Sequence, residues 1–193
     1  MKRSTKVLAG SHTKKSKFGG LLENFKEHRE KTTSILEFDL KKKRCRVLSK
    51  CSEVADNKNG IVYWMSRDVR VQDNWAFLYA QKLALKNDLP LHACFCLVPK
   101  FLDATIRHYK FLLKGLEEVA EECSVLDISF HLLTGMASKE LPRFIKDHSI
   151  GAVVTDFSPL RVPLKWVEDV KNSLPSDVPF VQVNFLVFES LSY

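Results

Sequence analysis

The sequence predicts an α/β protein built on an open, five-stranded parallel sheet of the Rossmann-like kind, strand order 3-2-1-4-5, with helices on both faces. Three observations carry that expectation. Short apolar runs alternate with helix-period segments from residue 60 to residue 183. The strand candidates read as continuous apolar runs, as strands covered on both faces do. At 193 residues the chain is long enough for one core of ordinary size.

The first strand is Ile61-Val62-Tyr63-Trp64-Met65, ending abruptly in the charged loop Ser66-Arg67-Asp68-Val69-Arg70. Asp73 is positioned to cap a helix from Asn74 to about Asn87, with Trp75, Leu78, Tyr79, Leu83 and Leu85 spaced for burial. Pro90 ends that helix, and Leu91 to Leu97 forms the second strand. Thr105 caps a second helix in which Ile106, Tyr109, Leu113, Leu116, Ala120 and Cys123 recur at three- and four-residue intervals. Ile128 to Leu133 is the third strand and Ser138 to about His148 the third helix, with Pro142 tolerable only in its first turn. Gly151 to Thr155 is the fourth strand. Ser158 as N-cap and Pro159 at the first helical position then start a helix to about Leu174. Pro179 to Val183 is the fifth strand. Alternation of this kind implies right-handed crossovers.

Charge is distributed unevenly. Formal net charge is +7, yet residues 1 to 50 carry 15 Lys and Arg against 5 Asp and Glu, so the remainder is slightly acidic. Residues 1–59 read as a basic, mostly disordered tail with short, weak helices between Gly20 and Leu40. Within it Lys41-Lys42-Lys43-Arg44 reads either as a nuclear-import or nucleic-acid tether or as a solvated charge run. No stretch approaches the roughly 18 apolar residues that span a membrane, and the start lacks the apolar core of a secretory signal. Five cysteines, with no C-x-x-C pair, fit a reduced intracellular protein. Cys94 and Cys96 are read as core residues on opposite sides of the sheet rather than ligands of a shared metal.

The seven glycines include no G-x-G-x-x-G and no G-x-x-x-x-G-K-[ST], and there is no G-x-S-x-G or H-E-x-x-H. His92, His108, His131 and His148 have no partner at ligand spacing; His92 and His131 read as core histidines, and no metal is expected. Dinucleotide, triphosphate, hydrolase and metalloenzyme chemistry therefore lose their anchors. Two polar loops remain, Ser66 to Asp73 and Asp156 to Arg161, which the expected order brings together at the topological switch point. Arg67, Asp68, Arg70, Asp73, Asp156 and Arg161 then form either an ion-pair network fixing both loops or a crevice for a planar, anionic or polyhydroxylated ligand lying on Phe157 or Phe101.

The blocks VYWMSRDVRVQDNWAFLYAQKLAL, LPLHACFCLVPKFLDATIRHYKFLLKGLEEVAEEC, FHLLTG and VVTDFSPLR together resemble the amino-terminal α/β domain of class II cyclobutane pyrimidine dimer photolyases, over about Ile61 to Val183. The resemblance implies a light-driven DNA repair family. In it, the first domain can hold an antenna chromophore, and a larger helical domain binds FAD and splits the dimer in damaged DNA. It places an antenna or ligand crevice at Ser66, Arg67, Asp68, Arg70, Phe101, Asp156, Phe157 and Arg161. It places no catalytic residue in this chain, because the FAD and lesion pockets belong to the helical domain. The chain thus reads as a truncated form, inactive alone and without FAD, with an apolar non-family tail at 184–193. Nuclear location is expected, the cytoplasm being the alternative. Other readings are a stand-alone ligand- or partner-binding α/β module and a DNA binder acting weakly and salt-sensitively through the basic tail.

Overall fold

The computed structural model describes residues 44–184, together with 23–24, 27–28, 31 and 34–37. The chain forms two compact units, Met1–Thr32 and Thr33–Tyr193. In the first, residues 23–24 and 27–28 are helical, and Lys31 Nζ donates to Glu27 at 2.8 Å, an exposed pair one turn apart. The second unit carries the sheet.

Its elements are β1 (Cys45–Val47), β2 (Gly60–Met65), α1 (Trp75–Lys86), β3 (Leu91–Leu97), α2 (Ile106–Val125), β4 (Ser129–Thr134), α3 (Ala137–Asp147), β5 (Ile150–Asp156), α4 (Arg161–Ser173) and β6 (Phe180–Val183). They build one six-stranded sheet, β1-β6-β5-β2-β3-β4. All neighbours are parallel except β1, which pairs antiparallel with β6. Strand count and full order therefore differ from the five-stranded, all-parallel expectation, although the expected switch between β2 and β5 is present. The extra strand comes from the basic head. Three residues, Cys-Arg-Val, carry no periodic signal; what makes them a strand is the free edge of β6. Leu48 N donates to Phe180 O, Asn184 N donates to Arg44 O, and the Ser49 hydroxyl accepts from Phe180 N, each at 2.8 Å.

β2 and β5 are buried along their whole length, which is why they read as unbroken apolar runs. One face of the sheet packs Ile61, Tyr63, Met65, Ala152 and Val154 against α1 and α2. The other packs Val62, Trp64, Val153 and Phe180 against α3 and α4. Cys94 and Cys96 both belong to the second face. The expectation of opposite faces was wrong, because a strand's side chains repeat every two residues.

Helix boundaries and faces also shift. Asn74, not Asp73, caps α1, its Oδ1 accepting from Phe77 N at 3.0 Å, while Asp73 takes a left-handed φ of 49°. The buried face of α1 is Ala76, Phe77, Ala80 and Ala84, and Leu85 is exposed. Small alanines let the helix axis approach the sheet, so the larger apolar residues flank the contact rather than make it. In α2 the buried stripe is Leu116, Val119 and Cys123, while Ile106 is 80% exposed. Pro142 is the sixth residue of α3, beyond the first turn. Ser158 does not cap α4: its hydroxyl accepts weakly from Leu160 N at 3.4 Å, and Leu160 stands at the N-cap. Pro163, third in α4, sits where no intrahelical N–H is needed.

At the amino ends of β3 and β4, His92 Nδ1 lies 3.3 Å from His131 Nε2, and His148 at the end of α3 lies against both rings. Burial, and then the charge of His148, lowers the His92 pKa; burial, then His92 and His148, lowers that of His131. Folding thus favours the neutral rings. Their contribution is complete above the unfolded value near 6.5 and is lost as pH falls through the lower folded values. Urea midpoints taken from pH 7.5 down to 5 should fall more steeply for the native chain than for His131→Asn; parallel slopes would dismiss the pair as the cause.

Candidate functional site

The two polar loops do meet, through one carboxylate. Asp156, the last residue of β5, is 3% exposed. Its Oδ2 accepts from the backbone N–H groups of Ser66, Arg67 and Asp68 at 3.2, 3.0 and 3.0 Å and from the Tyr63 hydroxyl at 2.9 Å. Its Oδ1 also lies 3.0 Å from Arg67 N. Every neighbour donates, which is the environment of an ionised carboxylate. Burial raises the Asp156 pKa, and the three backbone donors and Tyr63 pull it back.

Asn74 extends the knot. It is 1% exposed, and its Nδ2 donates to the Tyr63 hydroxyl, Asp68 O and Arg70 O at 3.0 to 3.1 Å while its Oδ1 caps α1. One amide therefore sets the helix start, the loop path and the tyrosine together. Tyr63 itself stacks on Phe77 with ring centroids 5.1 Å apart.

Beside this knot, at the carboxyl end of β3, opens a cavity of about 740 Å³. Ser66, Arg67 and Val69 line it from the loop after β2, Phe95 to Val98 from the end of β3, and Phe101 to Ala104 from the next loop. Arg107, His108, Phe111 and Leu112 of α2 and Trp166 of α4 close the sides. Phe101 and Trp166 meet at 5.6 Å between centroids, inclined by 60°. The Tyr109 hydroxyl donates to Val98 O at 3.0 Å, holding α2 to the strand end. The lining is chiefly apolar, with Arg67 and Arg107 as its cationic groups; volume and chemistry suit an organic ligand.

Of the residues expected to form a crevice, Ser66, Arg67 and Phe101 line this cavity. Asp156 is buried beneath the loop as a structural acceptor. Arg70 pairs with its own neighbour Asp73 at 3.8 Å, and Asp68 contributes backbone groups to the knot. Phe157 offers its carbonyl to Arg67 Nη1 at 3.3 Å, and Arg161 is exposed at the start of α4. The contact between the loops is thus carboxylate to backbone rather than a network of side-chain ion pairs. Lys41, Lys42 and Lys43 lie outside the described residues, as do the apolar positions 185–193. Arg44 places its guanidinium 4.7 Å from the Trp75 ring centroid. Sequence reasoning missed the α2 wall. Its trace was Phe111, 84% exposed on a helix whose other outward positions are mostly charged.

Fold and site define an open α/β domain with a chiefly apolar cavity over the end of β3, beside its topological switch point. The family model for DNA photolyase matches residues 61–187, and the chain belongs to the DNA photolyase family. It is 58% identical over 166 residues to the deoxyribodipyrimidine photo-lyase of Potorous tridactylus, covering 86% of this chain and 31% of that protein. It is 42% identical over 120 residues to that of Arabidopsis thaliana, covering 61% and 24%. The chain thus spans about a third or less of these relatives' length. The Potorous alignment is longer than the stretch from Ile61 onward, so the likeness reaches back into the basic head. The family match also runs past Val183, where sequence reading had ended it. A cryptochrome structure from Synechocystis sp. PCC6803 shares the fold, with TM-score 0.51 at 17% identity over 62% of this chain and 25% of that chain. Among the described residues no helix is long and apolar enough to cross a membrane.

Asp156→Ala leaves the buried Tyr63 hydroxyl and three part-buried backbone N–H groups without their acceptor, and with about 1–3 kcal/mol for a fully buried donor and less for the others the loss of unfolding free energy should be about 3 kcal/mol or more. Tyr63→Phe, which spares the backbone donors, should cost about 1–2 kcal/mol. Urea denaturation of both variants checks the ranking, and a reversed order would place the knot's strength in the tyrosine instead.

Proposed function

We propose that this chain is the pigment-holding domain of a light-driven DNA repair protein. On the sequence blocks quoted above, that protein belongs to the class II branch of the photolyases. The observation that carries the reading is the cavity of about 740 Å³, chiefly apolar, over the end of β3 beside the switch point of a photolyase-family sheet. A planar aromatic chromophore fits such a space. Phe101, Phe111, Leu112 and Trp166 would exclude water and hold its ring system, while Arg67 and Arg107 would face an acidic or carbonyl-bearing edge. The Asp156 knot supports a non-nucleotide ligand. Three consecutive backbone N–H groups after β2 are the device with which α/β proteins hold phosphate, and here the chain's own carboxylate already occupies them.

In this reading the domain collects light and the remainder of such a protein binds FAD and the thymine dimer, so residues 1–193 alone split no dimer. Titration with a planar, phosphate-free dye such as lumiflavin, followed by fluorescence quenching, should show saturable binding to the native chain. Leu112→Trp, which fills the cavity, should weaken that binding at least about tenfold without changing the far-ultraviolet circular dichroism. Binding that ignores Leu112→Trp would reject the cavity as the site. Repair of dimer-bearing oligonucleotides by the chain alone under illumination would reject the division of labour.

The basic head is assigned the second contact, with DNA phosphate. Duplex binding should weaken steeply with salt and vanish when residues 1–43 are removed, since phosphate neutralisation supplies it. An unchanged salt slope after the removal would move the contact to the folded domain. Nuclear import through Lys41-Lys42-Lys43-Arg44 belongs to the same reading, and a reporter fusion with the three lysines changed to alanine tests it by its distribution.

A further inference from the structure

The long helix α2 carries its charges the wrong way round for a helix standing alone. Its first half, Ile106 to Lys114, holds Arg107, Lys110 and Lys114 and no acid; its second half holds Glu117, Glu118, Glu121 and Glu122 and no base. A helix favours acids at its amino end and bases at its carboxyl end, because its backbone dipole is positive at the first and negative at the second. Here the first turn has no acidic residue and the last turn no basic one. Lys114 ahead of Glu118 is likewise the less favourable orientation of a pair one turn apart. Among the described residues, Arg107, Lys110, Lys114, Glu117, Glu118 and Glu121 make no ion pair, so neither half is answered there.

The outward side of α2 also has the spacing of a helix seam. Leu116, Val119 and Cys123 are buried against the sheet. On the side away from them Arg107, Phe111, Lys114, Glu118, Glu121 and Val125 follow at alternating steps of four and three, the repeat that lines one helix against another. The apolar members of that seam are bare: Phe111 is 84% exposed and Val125 40%. Gly115 stands in the middle of the helix beside the seam, where glycine is destabilising. A Cβ on it would meet no neighbouring atom within 4 Å. Its own surroundings do not require a glycine, whereas a second helix passing close by would.

From this pattern we propose that α2 is an interface between two copies of this chain, packed antiparallel across a two-fold axis at the middle of the helix. A two-fold sets one surface against itself. The basic half of each helix then meets the acidic half of the other, and each dipole end receives the charge it favours. With the axis beside Leu116 the seam maps onto itself: Lys114 of one copy faces Glu118 of the other, Phe111 lies along the aliphatic stem of Glu121, and Arg107 meets Val125. A seam of this composition gives weak, salt-sensitive association rather than the tight pairing of a leucine-lined coil. A nucleic-acid strand would use the basic half alone and leave the acidic half without a role. Arg107 and Phe111 also line the cavity, so the second copy covers part of its rim. The pairing does not depend on what the cavity holds.

The experiment is sedimentation equilibrium of the full chain from micromolar to millimolar concentration, at low and at high salt. The average mass should rise with concentration from 22.2 kDa toward twice that value, and fall back as salt is raised. Lys114→Glu and Glu118→Lys, both surface changes, should each weaken association at least about tenfold, since each replaces two attractions across the axis by two repulsions. An equimolar mixture of the two variants should associate as the native chain does, because one supplies acids where the other supplies bases. Neither a folding defect nor docking of the basic head on the acidic half would produce that rescue. A mass that stays at 22.2 kDa, association indifferent to Lys114→Glu, or a mixture that associates no better than its components would each overturn the proposal.

Discussion

A carboxylate at the end of the fifth strand holds the carboxyl edge of this sheet together. Asp156 is removed from water, and burying an unpaired carboxylate is costly. The cost is met by backbone donors that only one loop conformation can deliver: Ser66, Arg67 and Asp68 must present their N–H groups in succession, and Tyr63 must aim its hydroxyl from below. Once those donors converge, the loop after β2 has little freedom. Asn74 then fixes the start of α1, and Arg67 is left at the rim of the cavity.

That arrangement separates two roles that polar switch-point loops often combine. The N–H cradle faces inward and is filled, so it orders the loop. The ligand space lies to one side, over the end of β3, where apolar side chains dominate the lining. A cradle open to solvent would invite phosphate; a filled one with an apolar cavity beside it favours a flat organic molecule. The sheet's opposite end has a different chemistry, with imidazoles from two strands and a helix end gathered around Phe144.

Much of the fold was legible in the residues. The unbroken apolar runs of β2 and β5 marked strands covered on both faces, and the alternation with helix-period segments implied a parallel sheet with a switch between them. Faces and ends were less legible. The buried side of α1 is carried by Ala76, Ala80 and Ala84, which hydrophobicity ranks below the leucines around them, yet close approach to a sheet selects small side chains. Asp73 looked a better cap than Asn74 in isolation. Asn74 wins because its amide also serves Tyr63, Asp68 and Arg70, partners that a carboxylate could not satisfy by donating.

What the chain determined by itself was local: where backbone runs are apolar, where glycine and proline punctuate them, which blocks mark a photolyase, and where charge accumulates. Tertiary structure alone decided that Cys45–Val47 becomes a strand, because only the open edge of β6 supplies its hydrogen-bond partners. It alone decided that Asp156 is a buried acceptor rather than a ligand-facing charge, since the donors that satisfy it lie some ninety residues away. It alone built the cavity, from three separate stretches of chain, residues 66–69, 95–112 and Trp166, whose adjacency follows from strand pairing and helix crossover, distances that no local pattern encodes.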